Sequence, residues 1–154
     1  MPENYVEMEL REIQIVEDLN RTQVLILAEK EGKRIFPIFI GFNEAMALDL
    51  AARGEQMPRP MTHDLILNAI DGLRGRLNRV LVVKLESDTF FGALEVQRPT
   101  GELVRVDSRP SDAIVLATKR HVPIFVEENV LREVQRGTEE TEPDADAEGG
   151  PEAI

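Results

Sequence analysis

Cysteine is absent from this chain of 154 residues, which excludes disulfides, thiolate catalysis and Cys-ligated zinc. No apolar run approaches the ~20 residues needed to cross a bilayer as a helix. Histidine is scarce, with only His63 and His121. A metal site of two histidines and a carboxylate is therefore a poor fit, since His121 has no acidic residue near it in sequence. There is no Gly-rich phosphate loop, and Ser87, Ser108 and Ser111 sit in no Gly-x-Ser-x-Gly elbow and have no His beside them. The acidic start, with Glu3, Glu7 and Glu9, does not read as a secretory signal. These absences point to a cytoplasmic, soluble protein of one domain, long enough to bury its own core.

Basic residues are missing from one region in particular. No Lys or Arg follows Arg136, while seven acids do, from Glu139 to Glu152. The net charge of −11 falls to −4 without them, with 22 acids against 18 bases. The body is thus no basic nucleic-acid footprint, and a polyanion bound to it needs a local Arg patch or a bridging cation. Residues 137–154 lack apolar spacing and read as a disordered acidic tail. That leaves 1–136 as the single folded domain.

Within that domain the apolar pattern alternates between periods of two and of 3.6 residues. Val6, Met8 and Leu10 share one face of a first strand, and Ile13 and Ile15 fall on the opposite parity, so a one-residue bulge is expected near Arg11-Glu12. The segments 22–29 and 34–40 form a hairpin, and Pro37 marks an edge strand. Further strands are expected at 79–86, 89–97 and around Val104–Val106, and a short extended piece at 122–126. Helices are expected from Asn43, as cap, to about Arg53, from Thr62 to an end near Gly72–Gly75, and from Pro110 to Arg120. A last one is expected over 127–136. The fold class is α+β: an antiparallel or mixed sheet built from hairpins with about three helices packed on it.

Two strand or loop ends carry more polar chemistry than a turn requires. Asp107-Ser108-Arg109-Pro110-Ser111-Asp112 runs from a strand into a helix, with Pro110 suited to the first turn. Asp107 or Ser108 can cap that helix and Asp112 can reach back to a free N–H. A cap does not call for Arg109, however, and a guanidinium beside unbonded helical N–H groups makes a site for phosphate, with Ser108 and Ser111 as further donors. Arg59-Pro60-Met61-Thr62-His63-Asp64 repeats the arrangement. Thr62 is the expected cap, and His63 is either a surface imidazole or a general base or metal ligand. Asp64, Asp107 and Asp112, with Glu44 as a further ligand, have the oxygen chemistry that Mg²⁺ or Mn²⁺ prefers. Phe90 and Phe91 point to opposite faces of their strand, so one belongs to the core and the other to an interface or a stacking surface.

These segments, joined by Phe36-Pro37-Ile38-Phe39-Ile40-Gly41, Thr89-Phe90-Phe91 and Val122-Pro123-Ile124-Phe125-Val126, resemble the bifunctional nuclease family over roughly residues 6–131. The chain departs from the family at Phe39, where Trp is common, and at Phe91, where Tyr is common. The resemblance implies cleavage of RNA and DNA without assigning residue roles. Read with the two junctions, it suggests that His63, Asp64, Asp107 and Asp112 are catalytic, Arg59, Arg109, Ser108 and Ser111 bind phosphate, and Asp64, Asp107, Asp112 and Glu44 hold metal. The alternative is a non-enzymatic oligomeric regulatory or adaptor module in which the same Arg and Asp side chains form structural ion pairs. Self-association is expected either way, because the strand near Pro37 and one of the two Phe rings need cover.

Overall fold

A computed structural model describes residues 3–15 and 22–141, with backbone alone for 138–141. The described residues form seven strands and four helices in the order β1 (Tyr5–Gln14), β2 (Gln23–Glu29), β3 (Ile35–Ile40), α1 (Phe42–Ala52), α2 (Thr62–Gly72), β4 (Arg76–Glu86), β5 (Thr89–Gln97), β6 (Leu103–Ser108), α3 (Pro110–Arg120), β7 (Ile124–Glu127) and α4 (Glu128–Thr141). One sheet takes all the strands in the order β3-β2-β1-β7-β4-β5-β6. Neighbours are antiparallel except for β7 on β4. This is the α+β arrangement with a mixed sheet that the hairpin pattern predicts.

Apolar residues at alternate strand positions make the core. Leu25, Leu27, Phe36, Ile38, Val80, Val82, Leu94 and Val126 come from one face of the sheet, and Leu48, Leu67, Ile114, Leu116 and Leu131 from the four helices. The β1 register shifts between Leu10 and Glu12, where the parity change in the sequence requires a bulge. Phe36 and Phe90 meet edge to face at 5.1 Å, although β3 and β5 lie far apart in the strand order. The sheet is therefore strongly curled around its core. On the other face, Arg79 lies over the rings of Tyr5 and Phe125, and Lys84 over Phe91.

Several local expectations shift. The α1 cap is Gly41 rather than Asn43, and the α2 cap is Met61, which makes Thr62 the first helical residue. Neither Asp107 nor Ser108 caps α3: Arg109 occupies that position with no side-chain capping bond, and Pro110 begins the helix. Helix α4 continues past Gly137 to Thr141, because glycine weakens a helix without stopping one. The sequence Asp18-Leu19-Asn20-Arg21 predicts a turn between β1 and β2, and that segment and the tail after Thr141 lie outside the described residues. No helix among those residues is long and apolar enough to cross a membrane.

Candidate active site where three helices begin

Strand β6 hands the chain to α3 at Arg109, and the packing there is unusually close. Gly92 of β5 pairs with Ser108, and a Cβ at Gly92 would stand 3.0 Å from the Pro110 nitrogen and 3.1 Å from the Arg109 carbonyl carbon. The missing side chain lets the first turn of α3 sit directly on the sheet. Ser111, 8% exposed, is buried at this start, and its hydroxyl has no partner among the described residues.

Arg109 lies across the start of α3 and joins two helices. Its Nε donates to Asp112 Oδ2 at 2.9 Å and a terminal nitrogen to Asp112 Oδ1 at 3.1 Å. The other terminal nitrogen donates to Glu44 Oε1 at 2.9 Å, in the first turn of α1. Asp112 Oδ1 also lies 2.9 Å from His63 Nε2, in the first turn of α2. An unbroken ionic chain, Glu44–Arg109–Asp112–His63, thus ties together the N-terminal turns of α1, α2 and α3. Aligned peptide dipoles make this the positive end of all three helices.

Asp64 faces away from that chain. Its Oδ2 accepts the Met61 N–H at 2.9 Å and its Oδ1 lies 2.8 Å from Lys119 Nζ. Asp112 and Lys119 are two turns apart on α3, so between them they clamp the first turn of α2 and orient His63. In sequence Lys119 is only a cation in the last turn of α3, where the helix dipole favours one, and Gly92 has no marked role. An isolated glycine inside an apolar strand was the available signal for close backbone approach.

The electrostatics follow from these contacts. Burial pushes the Asp112 carboxyl up, but hydrogen bonds from Arg109 and His63 outweigh it and leave the group below its ordinary value. Glu44 is lowered by its own backbone N–H and then by Arg109. Lys119, followed by the Met61 N–H, lowers Asp64. Arg109 is raised by Asp112 and Glu44, so it stays charged. It is also open to solvent, with 63% of its side chain exposed.

The remaining candidates are dispersed. Asp107 pairs with Ala93, while its neighbour Val106 pairs with the core residue Leu94. Strand alternation therefore puts Asp107 on the face opposite the ionic chain. Arg59 is exposed in the loop before α2 and forms no ion pair among the described residues. Ser108 turns its hydroxyl onto the Arg109 carbonyl at 3.1 Å. A divalent cation does not fit this donor set: no three His, Asp or Glu among the described residues are grouped to hold one. Asp107 is on the far face, Asp64 is engaged by Lys119, and Glu44 and Asp112 both hold Arg109.

Fold and junction together define an α+β protein with a curled mixed sheet and a charged His–Asp–Arg–Glu chain where three of its helices begin. It belongs to the bifunctional nuclease domain family, whose model matches residues 25–139. Two uncharacterized proteins of Mycobacterium tuberculosis, from different strains, are each 42% identical to it over 116 residues, covering 75% of this chain and 68% of theirs.

Proposed function

We propose that the chain is a nuclease that cleaves phosphodiester bonds in RNA and DNA at the junction of the three helix starts. The observation that carries this reading is the His63–Asp112 contact at 2.9 Å, with Arg109 on the same carboxylate. Asp112 holds the imidazole in a fixed orientation, so His63 is suited to move a proton. Arg109 is exposed, permanently charged and set among helix N-termini, which suits it to hold a phosphate and offset charge that builds up as the bond breaks. The Ser111 hydroxyl and Arg59, unpaired among the described residues, are further phosphate contacts in this reading, and Ser108, whose hydroxyl donates to the Arg109 carbonyl, is not. Glu44 anchors Arg109, and Asp64 positions His63. Asp107 has no part in it. No step is routed through Mg²⁺ or Mn²⁺.

A second reading has an observation of its own in its favour. Glu44, Asp64 and Asp112 are each already engaged by a cationic side chain. On that basis the junction is a structural ion network in a non-enzymatic module. The experiment that separates the two is a cleavage assay on RNA and on single- and double-stranded DNA, with and without chelator. Parent, His63→Ala and Arg109→Ala proteins are compared, each shown to be folded by circular dichroism. The nuclease reading expects parent activity and a loss of at least about a hundredfold in both variants. Cleavage at the same rate in all three proteins would leave the network as scaffold.

A further inference from the structure

The two edges of the sheet differ in how they meet water. The β3 edge carries Pro37, whose nitrogen cannot donate to an added strand. The β6 edge is guarded only by the opposite charges of Arg105 and Asp107, with no proline or bulge to block an added strand. Its sequence, Leu103-Val104-Arg105-Val106-Asp107-Ser108, contains no proline, glycine or lysine, and it pairs with β5 without any register shift. Leu103 and Val106 are exposed on it.

Helix α2 presents a matching apolar surface beside this edge. Leu65, Ala69 and Leu73 recur every fourth residue and so share one helical stripe. Leu65 is 61% and Leu73 79% exposed, so no described residue covers the stripe. Between α2 and the sheet lies a groove of about 760 Å³, lined by Ile66, Ile70, Leu94, Val96, Val104 and Val106. An exposed apolar helix stripe, an apolar groove and an unpaired strand edge thus lie side by side.

We propose that this surface binds a second copy of the chain, with the two β6 strands paired antiparallel about a twofold axis at Val106. Charge selects that register. Pairing centred on Val106 sets Arg105 of each copy opposite Asp107 of the other, whereas centring on Arg105 or on Asp107 sets like charges face to face. The Asp107 carboxylate has no partner among the described residues, and Arg105 holds Glu3 and Tyr5 with donors to spare. Both charged side chains lie on one face of β6, and Val104 and Val106 lie on the groove face with the α2 stripes. A one-residue slip would turn these faces against each other, so the register is specified twice over. The pairing sets Leu103 of the second copy opposite Arg109, which makes the dimer seam a border of the ionic junction. The assignment moves self-association from the Pro37 edge to the β6 edge.

Sedimentation velocity of the full chain over a range of concentrations tests this. A dimer is expected, weakened about tenfold or more by Asp107→Arg, which sets arginines against each other. It is expected to be restored by the double change Arg105→Asp with Asp107→Arg. Val106→Lys abolishes the dimer, and Phe39→Lys on the opposite edge leaves it intact, with circular dichroism confirming the fold of each. A chain that stays monomeric at every concentration, a dimer indifferent to Asp107→Arg, a double change that fails to restore it, or a dimer lost with Phe39→Lys would each overturn the assignment.

Discussion

Replacing Asp112 by Asn keeps the shape of the junction and removes its central charge. Asp112 accepts two hydrogen bonds from Arg109 and lies within hydrogen-bonding distance of His63. The Arg109 pair involves a side chain that is 63% exposed, so it counts as a surface ion pair of about 0.5 kcal/mol. The His63 contact involves a side chain only 11% exposed, and its loss costs about 1 kcal/mol. Together they predict a loss of about 1.5 kcal/mol, or a fall in melting temperature of roughly 3–6 °C for a chain of this size. Catalysis has a different scale. A proton-moving group that loses the partner orienting it loses about a hundredfold to ten-thousandfold in rate. Thermal unfolding and cleavage measured on the same preparation of Asp112→Asn separate the two. A melting shift of the predicted size with cleavage within about twofold of the parent would refute the reasoning, because the ionic chain would then serve stability alone.

Three other outcomes follow from the same contacts. Gly92→Ala places a methyl group against backbone at the start of α3, and is expected to cost about 1–3 kcal/mol in chemical denaturation while also lowering cleavage; unchanged stability would show that this start can move. Lys119→Met removes the 2.8 Å clamp on Asp64, and is expected to lower cleavage roughly tenfold through a misplaced His63. Lys119→Arg should recover it, and an equal loss in both variants would argue against a positioning role. Glu29, Glu44, Asp64, Asp112 and Glu128 all have folded values below their ordinary 3.8 or 4.5. The unfolded chain therefore takes up protons first, so their contribution is complete above about pH 5 and is lost as acid carries the pH down through the lowered values. Urea midpoints that rise between pH 5 and pH 3 would contradict this sign.

The strands and helices were legible because their signals are local. The parity change after Leu10 located the bulge, Pro37 marked an edge, and Pro110 marked the first residue of α3. The contacts that make the junction are not local. Asp112 sits where a capping carboxylate usually reaches its own helix, yet its partners are the Arg109 guanidinium and a histidine 49 residues away. Arg109 reaches Glu44 across 65 residues. No short-range pattern carries pairings of that span, because they depend on how α1, α2 and α3 cross on the curled sheet. Asp107 shows the converse. It lies next to the junction in sequence, and the pleat of β6 alone sends it to the other side.

Strand β7, among the last elements made, sits in the middle of the sheet. It is four residues long and joins β1 to β4, pairing Val126 with Val6 on one side and with Val82 on the other. Each flanking set, β3-β2-β1 and β4-β5-β6, comes from its own continuous stretch of chain and can close by hairpins as it leaves the ribosome. The two halves can lock together only after Ile124–Glu127 has been synthesised, and contacts of such long range are slow to form. Until then β1 and β4 each present a bare inner edge, which gives a chain truncated before residue 124 two surfaces prone to aggregation.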